Sequence, residues 1–394
     1  MFKHLVSIDD LSKETIEKIF KLADHYRLQL EKKTSINKCK DKIMATLFYE
    51  PSTRTRMSFE SAMFRLGGKV ISSADTKVTS AAAKGESLVD TIKVIQSYAD
   101  IIVLRHFKDG AAMLAAENSD VPIINGGDGA HEHPTQTLCD LYTIKKLKKR
   151  KIEGMYVALC GDLRYGRTVH SLAYGLAKFG AKIFTIAPEG FELPEYVEHR
   201  IKSEYGIEIK KYKKIDEQLS QADVFYMTQK TEPELLPRLS IEFFDAVYVT
   251  RIQMERIKSV GTISEHTMSY LINKELLNKA KDDTIVMHPL PRRNELSYDI
   301  DQDKRAAYFK QAAYGVPIRM ALIALLLGMT KSKFKLDQKQ PELFSLGKKC
   351  SNENCITNVE ENVQRGYTKA NGLLNTYRCF YCDQEQEIKS NETN

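Results

Sequence analysis

A run of hydroxyl and guanidinium side chains directly follows the apolar segment KIMATLFYE, within the stretch FYEPSTRTRMSFE at residues 48–60. The apolar segment predicts a buried strand, and the residues after it predict the start of a helix. A strand that ends in hydroxyls, backbone N–H groups and an arginine, and then enters a helix, suits a phosphate group. The alternative is a capped helix start with solvated arginines. The candidate phosphate ligands are Ser52, Thr53, Arg54 and Thr55.

Further polar motifs follow other apolar runs, at the strand ends where open α/β sheets bind ligands. Arg105 follows ADIIVL, the motif GGDGAHEHPTQ follows VPIIN, and Arg251 follows AVYVT. The glycines permit a tight turn that delivers His133 and Gln136 to the start of a helix. A histidine there can donate to a carbonyl oxygen or a phosphate. The alternative is a capping cluster with an incidental histidine.

The motif CGDLRYGRT, residues 160–168, imitates a nucleotide-binding P-loop but has arginine where that loop requires lysine. No acidic magnesium-site motif accompanies it, so we reject a P-loop. Arg167 is better suited to bidentate capture of a carboxylate. The alternative is an exposed arginine in a strand-to-helix turn. A last motif, HPLPR, follows the apolar run DTIVM at residues 283–287.

Four cysteines near the C-terminus form two closely spaced pairs, Cys350-x4-Cys355 and Cys379-x2-Cys382, with 23 residues between the pairs. Four thiolates in two pairs are typical of a closed structural zinc site, here one zinc per chain. A catalytic zinc is not expected, because four thiolates leave no open position. The alternatives are two disulfides or four unrelated cysteines. The segment is too short for a self-sufficient core, so metal binding should supply much of its folding free energy.

The composition predicts a soluble cytoplasmic protein that acts on anionic substrates. The chain has 394 residues, 42% hydrophobic content and a net charge of +7. Its lysines form no basic stripe, so no nucleic-acid partner is expected. The N-terminus lacks a signal-peptide core, and the longest apolar run, ALIALLLGM, is too short to span a bilayer. Cys39, Cys139 and Cys160 have no paired spacing, as expected of thiols in a reducing compartment.

Short apolar strands alternate with helical segments over the first 330 residues, which predicts parallel α/β architecture. The expected fold is two doubly wound parallel-sheet lobes joined by helices, plus a small C-terminal zinc-ribbon-like β domain. The lobes are expected at residues 1–133 and 134–300, the second including a bridging helix. A helix at 301–330 would pack back on the first lobe, 331–348 form a linker, and 349–394 form the zinc-binding domain. The predicted strands are KIMATLFY, ADIIVLRHF, VPIIN, MYVALCG, AKIFTIAP, ADVFYMT, AVYVTR and DTIVMHPL.

The motifs STRTR, HPTQ, GDLRYGRTVHSL and HPLPR, in that order, resemble the aspartate and ornithine carbamoyltransferase family over residues 1–330. The resemblance implies two anionic substrates, carbamoyl phosphate and an amino acid, and no organic cofactor. The residues that it assigns to carbamoyl phosphate are Ser52, Thr53, Arg54, Thr55, Ser80, Lys84, Arg105, His133, Gln136 and the backbone at Leu290 and Pro291. Those that it assigns to aspartate are Lys84, Arg167, Arg251 and Gln253. Those that it assigns to catalysis are Arg54, Thr55, Lys84, Arg105 and His133.

The choice of aspartate over ornithine rests on Arg251-Ile252-Gln253 and on HPLP, since ornithine enzymes are expected to carry HCLP and an acidic SMG-type motif. A dicarboxylate also requires two cationic clamps, which Arg167 and Arg251 can supply. The implied reaction gives N-carbamoyl-L-aspartate and phosphate, in de novo pyrimidine biosynthesis. The rival interpretations are a family member with another amino acceptor and a noncatalytic, zinc-bearing assembly subunit.

The segment SSADTKVTSAAAKGESL, residues 72–88, is rich in small residues and carries Ser80 and Lys84. By itself it predicts a solvated surface loop. In the family this loop enters the active site of the neighbouring subunit, so the resemblance implies a homotrimer with shared sites.

The C-terminal motifs CSNENC and NTYRCFYC resemble the zinc domain of the regulatory chain found in the family's aspartate-specific enzymes. In those enzymes a separate chain couples that domain to a nucleotide-binding domain, for which the linker here has no room. We therefore hypothesise that the fused zinc domain pairs trimers into a larger assembly without nucleotide control. Whether a separate regulatory chain also binds is left open by the sequence.

Overall fold

The computed structural model describes residues 4–74, 85–212, 220–228, 241–251, 272–293, 295–330, 341–360 and 363–388. The chain forms two compact units. The first contains residues 1–138 and 314–394, and the second contains residues 139–313. The domain boundaries expected at 133 and 300 stay predictions. None of the helices in the described ranges combines the length and the apolar content that a membrane span requires.

The first unit is built on a four-stranded parallel sheet with the strand order β2-β1-β3-β4. The order reverses between β1 and β3, which is the switch point where such sheets bind ligands. Its strands are β1 Ile43–Phe48, β2 Lys69–Ala74, β3 Ile101–His106 and β4 Ile123–Asp128. Its helices are α1 Lys13–Glu31, α2 Thr53–Arg65, α3 Leu88–Ile95 and α4 Ala111–Glu117, followed by α5 Pro134–Lys148, whose last turns belong to the second unit.

The central strands of this sheet, β1 and β3, are buried on both faces, as their mainly apolar sequences predict. Helix α1 covers the core with a stripe of apolar residues three and four positions apart, including Ile16, Ile19 and Phe20. Ser12 caps this helix by accepting a hydrogen bond from the backbone of Thr15. The sheet and its helices therefore form a rigid base for the loops at the strand ends.

The second unit contains a six-stranded parallel sheet with the order β10-β9-β8-β5-β6-β7. Its switch point lies between β5 and β8. Gly161, directly after β5, has φ +98, and a Cβ atom there would lie 2.1 Å from the backbone oxygen of Thr228 after β8. The strands are β5 Tyr156–Cys160, β6 Lys182–Ile186, β7 Lys210–Tyr212, β8 Val224–Met227, β9 Ala246–Val249 and β10 Ile285–Met287. The helices are α6 Arg167–Lys178, α7 Glu195–Tyr205, α8 Lys274–Leu277 and α9 Tyr308–Leu326, the last of which ends in the first unit.

A small antiparallel sheet, β11 Tyr367–Lys369, β12 Thr376–Cys379 and β13 Glu385–Glu387, belongs to the first unit. We call residues 341–388 the cysteine domain. Its side chains share one hydrophobic core with α3 and α4 of the parallel sheet. Ile356 and Tyr381 from the cysteine domain pack in the same cluster as Ile92 and Leu114. The cysteine domain therefore packs directly against the first parallel sheet and its helices.

All eight strands predicted from the sequence are confirmed. The sequence did not predict β2 and β7. Strand β2, KVISSA, lies at the sheet edge and is largely exposed, and β7 has only three residues, KKY. An edge strand is paired on one side only and can stay exposed to solvent, so its sequence need not be apolar. The helix expected at 301–330 begins at Tyr308, after a 3-10 turn at Tyr298–Ile300.

Candidate functional site

The hydroxyl-rich stretch lies at the carboxyl end of β1, where α2 begins. Ser52 precedes the helix in an extended conformation, and its side chain makes no capping hydrogen bond. The first backbone bond of the helix runs from the N–H of Arg56 to the carbonyl of Ser52, at 3.1 Å. The N–H groups of the first turn and the positive end of the helix dipole are the usual elements of an anion site. Thr53 and Arg54 are exposed there and Thr55 is buried.

Arg105 lies at the carboxyl end of β3, in register with Phe48 at the end of β1. Its guanidinium is buried and held by two acceptors. One nitrogen donates to the carboxylate of Glu50 at 2.9 Å, and another donates to the carbonyl of Gly126 at 3.0 Å. Glu50 was not predicted from the sequence, although it lies two residues before the STRTR motif. These bonds fix the cation at the same edge as the start of α2.

The loop between β4 and α5 brings His133 and Gln136 to this edge. Asn125 closes the turn, because its side-chain oxygen accepts from the N–H of Gly127 at 2.7 Å. Gly129 has φ +46, and a Cβ atom there would lie 1.6 Å from a carboxylate oxygen of Asp109. The turn therefore requires glycine, as the sequence predicts. His133 is buried immediately before α5, and Gln136 is partly buried in its first turn.

A second histidine lies under this edge of the sheet. His106 is buried at the end of β3, with its ring against Tyr49 and Phe107 at centroid distances of 4.7 and 4.4 Å. Its Nδ1 accepts the backbone N–H of Lys108 at 3.0 Å. Burial lowers the pKa of His106 to about 4, although the charge of Asp128 partly opposes the shift. The ring is therefore neutral at pH 7.

In the second unit, Arg167 is the first residue of α6 and follows β5. Only 4% of it is exposed, which contradicts the alternative of a solvated arginine. The preceding turn is shaped by Asp162, whose carboxylate accepts the N–H groups of Arg164 and Tyr165, both at 3.1 Å. A buried guanidinium at a strand end is suited to bind a carboxylate. Arg251, which follows β9, is partly buried at the same edge of this sheet.

The HPLP turn follows β10, the neighbour of β9, and a buried histidine holds it in place. His288 accepts the N–H of Leu290 on Nδ1 at 2.7 Å, so Nε2 carries the proton and donates to Glu295 at 2.8 Å. The same Glu295 oxygen accepts the N–H of Arg293 at 3.1 Å. Burial raises the pKa of Glu295, but the bond from His288 and the backbone N–H groups lower it more, so the net shift is downward. The backbone at Leu290 and Pro291 is therefore fixed from both ends.

A buried polar network connects the start of this turn to two helices of the second unit. Gln311 accepts the backbone N–H of His288 at 2.9 Å and donates to Asp140 at 2.7 Å. Asp140 also accepts the hydroxyl of Tyr248 at 3.0 Å. None of these residues was predicted from the sequence, because each contact joins segments more than twenty residues apart.

The four predicted metal ligands lie together in the cysteine domain. All four are buried, and their sulfur atoms lie within 4.8 Å of one another. The Sγ–Sγ distances are 3.6 Å for Cys350–Cys382 and 3.9 Å for Cys355–Cys379. Four sulfurs at Zn–S bonds of about 2.3 Å have tetrahedral edges of about 3.8 Å, whereas a disulfide bond is about 2.0 Å. The seven cysteines of the chain form no disulfide, and these four form a closed metal-binding cluster.

Three predicted site residues, Ser80, Lys84 and Gln253, lie outside the described residues. The others lie at two sheet edges. In the first unit, the residues at or after the carboxyl ends of β1, β3 and β4 are Ser52, Thr53, Arg54, Thr55, Arg105, His133 and Gln136. In the second unit, those after β5, β9 and β10 are Arg167, Arg251, Leu290 and Pro291.

Comparison with known proteins identifies the family. Residues 3–146 match the aspartate/ornithine carbamoyltransferase carbamoyl-P binding domain, and residues 153–326 match the Asp/Orn binding domain of the same proteins. The chain belongs to the aspartate/ornithine carbamoyltransferase family. Residues 348–392 match the metal binding domain of the aspartate carbamoyltransferase regulatory chain. Both resemblances seen in the sequence are confirmed.

The similar proteins are named as aspartate carbamoyltransferases or aspartate transcarbamoylases. The chain is 46% identical over 328 residues to the aspartate carbamoyltransferase catalytic subunit of Clostridium botulinum, covering 83% of this chain and 98% of that one. It is 47% identical over 326 residues to the Thermoplasma volcanium subunit, with the same coverage. The catalytic subunit of M. jannaschii aspartate transcarbamoylase matches with a TM-score of 0.68 and 42% identity, over 84% of this chain and 100% of that one. The Trypanosoma cruzi enzyme in complex with carbamoyl phosphate and aspartate matches with a TM-score of 0.66 and 34% identity, over 82% and 95%.

The buried His106 predicts a pH-dependent stability. A histidine whose folded pKa is depressed contributes stability that is present above about pH 6.5, its unfolded pKa, and is lost as the pH falls toward 4. In His106→Asn the amide oxygen can replace Nδ1 as acceptor, but the side chain does not titrate. Between pH 7 and 5 we expect the wild type to lose about 2 kcal/mol more unfolding free energy than the variant.

The measurement is urea unfolding followed by circular dichroism, with both proteins compared at the two pH values. Carboxylates and cysteines titrate in both proteins, so their effects cancel in the comparison. Equal losses in the two proteins would contradict a neutral, buried His106.

Proposed function

We propose that this protein transfers the carbamoyl group of carbamoyl phosphate to the α-amine of L-aspartate, giving N-carbamoyl-L-aspartate and phosphate. The observation that carries the proposal is the set of cationic and hydroxyl side chains at the carboxyl ends of β1, β3 and β4, in a chain that belongs to this family. The curated relatives named above are aspartate carbamoyltransferase subunits, and 98% of their length is matched. The product serves de novo pyrimidine biosynthesis.

Carbamoyl phosphate is proposed to bind at the first sheet. Its phosphate would accept bonds from Ser52, Thr53 and Thr55 and from the N-terminal turn of α2, with Arg54 beside it. Arg105 and His133 would hold the carbonyl oxygen. The fixed geometry of Arg105 supports this role, because its acceptors at Glu50 and Gly126 leave little rotational freedom. Gln136 would bind the amide group, together with the backbone at Leu290 and Pro291, which the His288 contact holds.

Aspartate is proposed to bind through its two carboxylates to Arg167 and Arg251, with Gln253 and Lys84 as further ligands. The burial of Arg167 supports this role, because a bidentate guanidinium bond to a carboxylate is stronger away from bulk water. Ornithine has a side-chain ammonium group where aspartate has a carboxylate, and the repulsion between this cation and the arginines would disfavour its binding.

The chemistry needs no covalent enzyme intermediate. The neutral α-amine attacks the carbonyl carbon, the C–O bond to phosphate breaks, and the departing phosphate can accept the amine proton. Positioning of two anionic substrates would supply most of the rate enhancement. The negative charge that develops on the carbonyl oxygen would be stabilised by Thr55, Arg105 and His133, and that on the leaving phosphate by Arg54.

Phosphate release by the zinc-loaded protein, with L-aspartate and L-ornithine as parallel acceptors, tests this function. We expect release with aspartate only. Arg54→Ala should mostly lower kcat, because Arg54 would contact charge that develops in the transition state. Arg251→Ala should mainly raise the KM for aspartate, because Arg251 would contact a carboxylate that keeps its charge throughout the reaction. Release only with ornithine would mean that Arg167, Arg251 and Gln253 have other roles, and no release with either acceptor would favour a noncatalytic assembly subunit.

A homotrimer with shared active sites is proposed for the assembly. Met57 and Phe64 lie seven residues apart on α2 and are exposed, as is Ile71 on the edge strand β2. Exposed apolar side chains on this helix and this edge strand support contact with a second copy of the chain. In such a trimer Ser80 and Lys84 would reach the site of the neighbouring subunit.

Subunit mixing tests the shared site. Arg54→Ala and Lys84→Gln should each be nearly inactive, because each removes a group from every site. If Lys84 acts in the neighbouring subunit, unfolding and refolding the two variants together should restore about one quarter of wild-type activity, since random mixing completes that share of sites. Mixed protein that stays inactive would place both residues in one subunit. Each variant refolded alone is the control.

Structural zinc is proposed for the four-cysteine cluster, one ion per chain, held by Cys350, Cys355, Cys379 and Cys382. The tetrahedral spacing, the burial and the all-thiolate donor set support zinc over hard cations. Reduced thiols support a cytoplasmic location. The zinc domain is also proposed to pair trimers, without control by nucleotides.

Light scattering tests the paired trimers. The zinc-loaded protein should have a mass above that of three 44.9 kDa chains, and chelation should lower it, because the metal stabilises the fold of the domain that forms the contact. An unchanged mass after complete zinc removal would contradict this assembly. Saturable effects of CTP or ATP on activity, in protein free of other subunits, would contradict the absence of nucleotide control.

A further inference from the structure

A buried histidine connects the cysteine domain to the loop that carries His133. His131 Nδ1 lies 3.2 Å from a carboxylate oxygen of Asp128, and Nε2 lies 3.1 Å from one of Asp383. Asp128 ends β4, whereas Asp383 follows the metal ligand Cys382 by one residue. Only 6% of the His131 side chain is exposed. The ring therefore bridges two segments that are 252 residues apart in sequence.

The two carboxylates favour a doubly protonated ring. Burial alone would lower the pKa of His131, but the charges and hydrogen bonds of Asp128 and Asp383 raise it well above its usual value. With both nitrogens donating, each end of the ring is tied to an acceptor. A charged hydrogen bond of this kind is stronger than a neutral one.

Asp128 anchors the other end of this contact firmly. Its carboxylate also accepts the backbone N–H of Gly110 at 2.9 Å, the side chain of Asn125 at 2.9 Å and the backbone N–H of Glu132 at 3.2 Å. The loop from β4 to α5 is thus fastened to the sheet at Asp128 and to the cysteine domain at Asp383.

A second contact joins the same loop to the cysteine domain. Asp109 accepts the N–H of Ala130 at 2.7 Å, and its two oxygens also accept the side chains of Asn352 and Asn354 at 2.8 and 3.0 Å. Both asparagines lie between the metal ligands Cys350 and Cys355. The cysteine domain therefore supports the β4–α5 loop at two points, directly through Asp383 and indirectly through Asp109.

We propose that Asp383 and His131 are positioning residues, through which the metal-bound domain holds His133 and Gln136 in the geometry that the carbamoyl group requires. The proposal rests on the proposed function of this site. His133 is two residues after His131, so a shift of the His131 ring moves the backbone that carries His133. Glu132 joins the same loop to the N-terminal segment, where its carboxylate accepts the N–H of Ile8 at 3.1 Å. The proposed phosphate ligands Ser52, Thr53 and Thr55 lie at the start of α2, which is a different element from the β4–α5 loop, so phosphate affinity should not depend on this support.

The test removes the Asp383 carboxylate in the full-length, zinc-loaded enzyme. Asp383→Ala should lower kcat/KM roughly 10- to 100-fold, because displacement of a positioned group by about 1 Å has effects of that size. The Kd for inorganic phosphate should change less than about twofold, since a phosphate ligand set at a helix N-terminus is untouched. Asp383→Glu, which restores a carboxylate, should recover part of the activity. Amide hydrogen exchange in residues 126–133 should speed up in Asp383→Ala.

The matched control is Tyr381→Phe. The Tyr381 hydroxyl lies 2.8 Å from the carboxylate of Glu117, the last residue of α4, and 3.1 Å from the carbonyl of Gln364 in the cysteine domain. The substitution removes this hydroxyl from the docked domain and changes no residue of the β4–α5 loop. The control should keep wild-type activity and hydrogen exchange. Zinc content is measured in every variant, because Asp383 adjoins a metal ligand.

Three results would overturn the proposal. The first is unchanged activity in zinc-replete Asp383→Ala. The second is an equal loss in Tyr381→Phe, which would indicate general weakening of docking. The third is a rise of the phosphate Kd in proportion to the loss of activity, which would indicate collapse of the whole site. Failure of the proposed function is recognised separately, because the wild type itself would then release no phosphate with aspartate.

Discussion

The loop between β4 and α5, which carries His133 and Gln136, depends on the hydrogen bonds of one buried carboxylate, that of Asp128. A carboxylate without compensating hydrogen bonds is costly to bury, and this one is compensated by donors from three different elements around it. The charge therefore draws the start of α4, the end of β4 and the loop before α5 to one point. Although burial raises the pKa of Asp128, His131 and the other donors lower it more, so the group stays ionised. The geometry of the loop is thus a consequence of satisfying one charge.

In the second unit a turn at a strand end is also held by a buried polar side chain, but that side chain is a histidine and not a carboxylate. There a neutral histidine, His288, holds the turn after β10 by accepting the N–H of Leu290. Its ring donates to Glu295, and its backbone N–H donates to the side chain of Gln311. In both units a parallel sheet provides strand ends at one edge, and buried polar side chains then fix the loops that follow.

Much of the fold and of the candidate site was predictable, because both follow local patterns. Apolar runs predicted the eight strands, motif order predicted which residues lie at strand ends, and cysteine spacing predicted the four-sulfur cluster. The supporting residues were not predictable in the same way. Nothing in the motif GGDGAHEHPTQ indicates that His131 meets Asp383, since periodicity and spacing report on local geometry only. Glu50 lies two residues before the STRTR motif, and an arginine at the end of a neighbouring strand was the signal that could have identified it.

The shared core of the cysteine domain and helices α3 and α4 has a consequence for how this chain responds to dilution. In a complex of separate chains, the fraction of docked partners falls as the protein concentration falls. Here the two surfaces belong to one polypeptide, so docking is an intramolecular step with an effective concentration set by the connection between them. The contacts around Asp109 and His131 are therefore present in the same proportion in a dilute cell extract and in a concentrated solution.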